Sequence, residues 1–261
     1  MLLAFTDQGT GPVVVLLHGF PLSRAMWAGQ IREWSGSYRV IAPDLRGHGE
    51  SPAPDAVYTM DLMADDVVEL LDGLGLAEPV VVGGLSMGGY VALALALKHP
   101  NRVRGLMLVD TRAAADEPET ARRREENAKA VLAAGHPGAM VETMLPRLFS
   151  RSTFRRRPGI VPPIQAVMAE TTAAGVAGAL RGMACRPDRR EQLREIACPT
   201  LVAVGEEDVI SPPDEAKAIA EALPDGRLAV IPLAGHLSPY ENPEAFDAAA
   251  LAFLRDLHPH A

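Results

Sequence analysis

The stretch Val80–Leu93, "VVVGGLSMGGYVAL", joins three unlike segments. A run of β-branched residues reads as a buried strand, a knot of small residues surrounds one serine, and an apolar run rich in Ala and Leu reads as a helix. A serine hydroxyl has no special reactivity by itself. Here Ser86 lies within Gly84-Leu85-Ser86-Met87-Gly88, a G-x-S-x-G pattern whose meaning rests on that strand–turn–helix setting. Side chains at Gly84 and Gly88 would collide with the neighbouring strand and helix, so the glycines permit a strained turn around the serine. The plain alternative is a small-residue turn with a capping serine. The flanking strand and helix weigh against it.

Outward from this turn, short apolar runs alternate with helical patterns. Val13–His18, Arg39–Asp44, Pro79–Gly84, Val103–Asp110, Thr200–Gly205 and Leu228–Leu233 read as strands. Most are continuously apolar, as in a parallel sheet covered on both faces. Helical stretches are predicted at about Ala25–Gly36, Met60–Leu74, Met87–His99, Pro213–Ala222 and Pro243–Leu257. The order implies right-handed crossovers and a doubly wound α/β sheet. Residues 111–194 break the rhythm, with helical patterns near Glu117–Ala134, Gly138–Phe149, Pro163–Thr172 and Ala174–Ala184 and no clear strand. This block reads as a cap over the C-terminal edge of the sheet, where ligands of open α/β sheets bind. It divides the core into residues 1–110 and 195–261.

A serine nucleophile needs a base, and the base an orienting acid. Among seven histidines, His236 in "LAGHLSPYENP" follows the last strand at the correct edge. His258 and His260 are terminal, His99 ends a helix, His136 lies in the cap, and His18 and His48 sit in "HGFP" and "RGHGES". The acid is expected at Asp208 in "GEEDVISPP", with Asp110, at the end of the strand before the cap, as its rival. Acyl transfer also needs two N–H donors for the developing oxyanion. Met87, at a helix N-terminus, and Phe20, in the loop after the first long strand, are the candidates; Pro21 has no N–H to offer.

Taken together, "HGFPLSRAMW", "APDLRGHGES", "GGLSMGG", the cap, "GEEDVISPP" and "GHLSPYENP" resemble the α/β-hydrolase superfamily in content and order. Within it the chain looks like small lidded carboxylesterases, enol-lactonases, acyl-homoserine lactonases and cofactor-free perhydrolases. The resemblance implies a mostly parallel sheet of about eight strands with the cap between the sixth and seventh, and a Ser86–His236–Asp208 triad. It departs at the N-terminus, where the customary antiparallel hairpin is short. The expected reaction is cleavage of esters or lactones through an acyl-enzyme, with no metal or cofactor. Perhydrolysis, C–C bond hydrolysis and a non-catalytic receptor are the other readings. Related dehalogenases and epoxide hydrolases place an Asp where Ser86 stands, which disfavours both.

The pocket should take a small-to-medium uncharged acyl group, lined by Leu22, Met140, Met144, Leu148, Met168 and Leu237. Met140, Met144 and Leu148 recur every fourth residue, so this face either walls the pocket or packs on the main domain. Arg112, just after Asp110, is placed to reach the pocket. The runs Arg122–Arg124 and Arg155–Arg157 read as solvated faces. A net charge of −8 over 261 residues argues against nucleic acid as a partner. A 48% hydrophobic composition suits a soluble globular protein. The resemblance implies a small-molecule ester or lactone as partner, and the expected state is a monomer or homodimer. Two cysteines make no disulfide framework. The N-terminus lacks a basic region and a long apolar run, and no segment has the length of a membrane span, so the expected location is the cytoplasm.

Overall fold

The computed structural model describes residues 1–258; His260 lies outside them. Seven strands form one sheet: β1 (Phe5–Gln8), β2 (Val13–Leu17), β3 (Arg39–Pro43), β4 (Val80–Leu85), β5 (Val103–Val109), β6 (Thr200–Gly205) and β7 (Gly226–Ile231). Their spatial order is β1-β3-β2-β4-β5-β6-β7. Every pairing is parallel except that of β1 with β3. The sheet thus has seven strands among the described residues, against the eight or so expected. The cap falls between the fifth and sixth rather than the sixth and seventh. The shortened N-terminal hairpin contributes a single strand, β1, antiparallel to β3, which lowers each later strand number by one.

Eleven α-helices complete the described chain. In the first part of the core they are α1 (Ala28–Trp34), α2 (Met60–Gly73) and α3 (Met87–Lys98). The cap contributes α4 (Pro118–Ala134), α5 (Gly138–Leu148), α6 (Arg151–Arg156), α7 (Val161–Glu170) and α8 (Ala173–Ala184). The second part of the core adds α9 (Pro213–Ala222), α10 (Ser238–Glu241) and α11 (Pro243–Leu257). The central strands β4 and β6 are buried at all six positions each, as crossovers on both faces require. One apolar cluster on the sheet gathers Val15, Leu17, Val82, Val91 and Val204, and the other Val14, Leu16, Val81, Trp34 and Phe246.

The turn between β4 and α3 places the serine. Ser86 takes φ +52° and ψ −111°, a positive-φ conformation that costs a non-glycine residue roughly 1–3 kcal/mol. A Cβ at Gly84 would run into the Gly88 carbonyl, and one at Gly88 into the Leu17 carbonyl. These close backbone approaches hold the turn shut.

The cap is tied to the core by small residues and by charge. Gly182 of α8 lies against the Tyr58 carbonyl, too close for any side chain, and Tyr58 N–H donates to the Gly178 carbonyl at 3.0 Å. Asp116 sits between Arg124 of α4, with which it pairs, and Arg186, at 2.6 Å. The Arg186 guanidinium lies over the Tyr90 ring of α3, 4.2 Å from its centroid. Burial works against the Asp116 charge, but the two guanidinium groups outweigh it and hold the carboxyl below its usual range.

Two predictions follow from this packing. Gly84→Ala should abolish soluble, active protein or displace the turn enough to lose essentially all turnover; circular dichroism and activity of the purified variant check it. Asp116→Asn should cost roughly 2–4 kcal/mol at neutral pH, because it leaves buried guanidinium groups without their counter-charge. A carboxyl depressed in the folded state stabilises above its unfolded value of about 4, and that contribution fades as pH falls below it. The gap between Asp116→Asn and the parent, read from chemical denaturation, should therefore narrow below about pH 4.

Candidate active site

Three loops at the C-terminal edge of the sheet meet at Ser86. The loop after β6 carries Asp208, the loop after β7 carries His236, and the β4–α3 turn carries Ser86. His236 Nε2 lies 2.8 Å from Ser86 Oγ, and its Nδ1 lies 2.8 Å from Asp208 Oδ2. His236 and Asp208 are 3% and 4% exposed, so this hydrogen-bond chain is screened from water everywhere but at the serine. A hydroxyl, an imidazole and a carboxylate in this order can draw a proton off the oxygen and hold the resulting positive charge.

The sequence reading left Asp208 and Asp110 as rivals, and the structure gives them different partners. Asp208 faces the imidazole and accepts N–H bonds from Ile210 and Ser211 on Oδ1, at 2.7 and 3.0 Å. Asp110 lies behind it, fully buried, accepting from Gly205 N–H at 2.8 Å and from Ser238 N–H and Oγ–H at 3.0 and 2.7 Å. Burial, and after it the neighbouring Asp208 charge, push Asp110 well above the usual carboxylate range. Burial opposes the Asp208 charge too, but His236 and the Ser211 donors overcome it and keep this carboxyl below its usual range. Two carboxyls in one buried region are thereby divided, with the negative charge resting on the one that touches His236.

Several supporting residues escaped the sequence reading. Ser211 Oγ–H donates to Asp208 Oδ2 at 2.7 Å; the signal available was "DVIS", an aspartate that can bond the backbone two and three residues on. Thr111 Oγ1–H donates to the Ser86 carbonyl at 2.8 Å. Glu241, 3% exposed, accepts from Gly235 N–H at 2.8 Å and, across to the cap, from Ser150 N–H at 2.8 Å and Thr153 Oγ1–H at 2.6 Å.

The loop after β2 approaches from the other side. His18 Nδ1 lies 2.9 Å from the Gly19 carbonyl, and Leu45 N–H donates to its Nε2 at 2.9 Å. The latter bond needs a neutral ring, and burial pushes the His18 pKa down to about 4. His48, pushed down to about 3 by burial and then by His18, packs edge-on to the Phe20 ring at 6.1 Å. Among the described residues no hydrogen bond occupies the N–H of Phe20 or of Met87, the first residue of α3 and so without an intrahelical acceptor.

Ser86 and His236 open into a cavity of about 690 Å³ between the sheet edge and the cap. Met140 and Met144 line it, as do Phe20 and Arg112. Leu148, Met168 and Leu237, expected in its wall, pack instead into the apolar core with Val109 and Phe149, and Leu22 packs with Met26 and Trp27. All four are at most 1% exposed; burial, not access to ligand, accounts for their apolar character. Met87 is likewise fully buried by its side chain. Leu148 does serve the site through its backbone, since its carbonyl accepts from His236 N–H at 2.9 Å.

The cavity wall is more polar than expected. α4 turns Thr120, Arg123, Arg124, Asn127, Val131 and Ala134 toward it, and α5 adds Thr143 and Arg147. Of the run Arg122–Arg124, expected to be a solvated face, Arg122 and Arg123 are exposed, Arg122 beside Glu119 and Glu126, while Arg124 is half-buried and pairs with Asp116. Among the described residues no cluster of His, Cys, Asp and Glu is arranged to hold a metal ion, and no helix is long and apolar enough to cross a membrane.

The architecture has clear counterparts. A thermophilic esterase from Thermogutta terrifontis, solved with malate bound, superposes with a TM-score of 0.96 at 49% identity, over 98% of this chain and 94% of that one. An enzyme that degrades N-acyl homoserine lactones superposes with a TM-score of 0.80 at 28% identity, over 96% of each chain. The 3-oxoadipate enol-lactonase 2 of Acinetobacter baylyi is 29% identical over 95% of this chain and 90% of its own. The family model described as the alpha/beta hydrolase fold matches residues 12–243; with that match spanning most of its length, the chain belongs to the alpha/beta hydrolase fold family.

Proposed function

We propose that this hydrolase cleaves carboxylic esters or lactones through an acyl-enzyme on Ser86. The observation that carries the reading is the unbroken hydrogen-bond chain from Asp208 through His236 to a serine hydroxyl that opens into a cavity beneath the cap. The esterase and lactonases among its relatives support the same substrate class.

His236 Nε2 takes the proton as Ser86 Oγ attacks the substrate carbonyl carbon. Asp208 holds the Nδ1–H tautomer that leaves Nε2 free to accept, then stabilises the imidazolium. The carbonyl oxygen becomes an oxyanion, which the free N–H groups of Phe20 and Met87 are suited to receive. Imidazolium returns its proton to the leaving alkoxide as the carbon–oxygen bond breaks. A water then loses a proton to His236 and attacks the acyl carbon; the bond from that carbon to Ser86 Oγ breaks as His236 returns the proton to Oγ, and the acid leaves. No step calls on Asp110, whose three donors tie the ends of β5 and β6 to the loop that follows His236.

Ser86→Ala should reduce hydrolysis of p-nitrophenyl butanoate at least about 10³-fold with the fold intact; retention of near-parental turnover would overturn the scheme. Asp208→Asn should lower kcat by about 10³ to 10⁴-fold, because the amide imposes the wrong imidazole tautomer. Asp110→Asn changes no group that touches Ser86 or His236, and its kcat should stay within about tenfold of the parent. Steady-state kinetics on the two carboxyl variants side by side separates their roles.

A further inference from the structure

The chain carries a net charge of −8, yet the cavity above Ser86 is lined by four arginines, Arg112, Arg123, Arg124 and Arg147, against one carboxylate, Asp116. Two of the four are committed to neighbours: Arg124 pairs with Asp116, and Arg112 Nε lies 3.0 Å from Glu215. Arg123 and Arg147 have no ion-pair partner among the described residues, and both are exposed. They sit on different cap helices and line one cavity.

Their placement is graded along those helices. On α4 the cavity-facing residues run Thr120, Arg123, Arg124 and Asn127 and then Ala130, Val131 and Ala134, polar before apolar. On α5 they run Met140, Thr143 and Met144 and then Arg147. The two helices join through residues 135–137. Both therefore present apolar side chains near their junction and an arginine at the far end; at 1.5 Å per residue Arg123 stands roughly 16 Å along α4 from Ala134. A guanidinium with free donors, on a wall whose one carboxylate, Asp116, is already paired with Arg124 and Arg186, suits a carboxylate.

We infer that the preferred substrates are esters or lactones that carry a free carboxylate, which the guanidinium groups of Arg123 and Arg147 attract while the scissile carbonyl lies at Ser86. This deepens the ester and lactone reading and rests on it. The carboxylate is a spectator of the chemistry: the acyl carbon–oxygen bond breaks as before, and the charge serves binding.

The test compares matched charged and neutral substrates. Mono-p-nitrophenyl glutarate, with its charge on the acyl side, is set against p-nitrophenyl pentanoate; 4-carboxyphenyl butanoate, with its charge on the leaving side, is set against phenyl butanoate. At least one charged ester should show the higher kcat/KM relative to its neutral match. In Arg123→Gln/Arg147→Gln that ratio should fall about 25-fold, on the order of fivefold per arginine, chiefly through KM of the charged ester. Arg122→Gln, one residue away on the outer face and outside the cavity lining, should leave the ratio where it was. The preference should also shrink as ionic strength rises from about 0.01 M to about 1 M, where the screening length falls from about 30 Å to about 3 Å. If the parent turns over the neutral esters but prefers neither charged one, or if the ratio is unmoved in the double variant, the inference is overturned and ester hydrolysis stands. If no ester of the four is hydrolysed, the underlying reading of the site falls, and the inference with it.

Discussion

One backbone conformation governs the arrangement of this site: the positive φ of Ser86 at the end of a buried strand. It turns the chain through a tight corner, so the hydroxyl projects from the sheet edge and the following N–H groups begin a helix. The conformation is unfavourable for any residue with a Cβ. It persists because its surroundings leave no alternative. Gly84 and Gly88 bring strand and helix backbones together where no side chain fits. Ser86 N–H bonds the Val109 carbonyl at 2.8 Å, and the Ser86 carbonyl accepts from Thr111. Both flanking elements are anchored by burial, β4 at every position and α3 at ten of its twelve. A helix buried all round cannot rotate to relax the turn before it.

The histidine side of the site depends on the cap as much as on the sheet. Its N–H is held by the Leu148 carbonyl, at the end of α5. Glu241 joins Gly235, just before His236, to Ser150 and Thr153 just before and within α6. The cap is therefore part of the framework that positions the base, and not merely a cover over a finished site. Seating α5 and α6 and aiming the imidazole at Ser86 are one structural event. Behind them Asp110 does comparable work for the acid, tying β6 and the start of α10 together while leaving the negative charge to Asp208.

The core strands and crossover helices were legible in the sequence because each is an apolar run bounded by glycine, proline or a charged residue; Thr200–Gly205, Pro213–Ala222 and Pro243–Leu257 are read to the residue. The strand β1 was not, since three of the four residues of "FTDQ" are polar and it pairs on one side only. Ser86, Asp208 and His236 were legible because each follows a strand on the same sheet edge. Leu22, Leu148, Met168 and Leu237 misled for a physical reason: an apolar side chain next to a catalytic loop serves equally well as core or as cavity wall, and only the packing decides. Asp208 was chosen over Asp110 from its place in the loop after β6, but the division of labour between them was not legible, because it lies in who donates to each.

The cationic wall was hidden by a different ambiguity. "RRR" names three charges but not their directions, and on a helix consecutive residues point about 100° apart. Arg122 turns to solvent and to two glutamates, Arg123 and Arg124 to the cavity. Composition misled in the same sense, since an acidic protein suggests an unfavourable field for anions everywhere. A local field does not follow the net charge. Inside a partly closed cavity with low-dielectric walls, nearby guanidinium groups act at short range, whereas the excess of surface carboxylates is screened within about 10 Å at ordinary salt. An anion near the mouth is thus governed by the few arginines that line it.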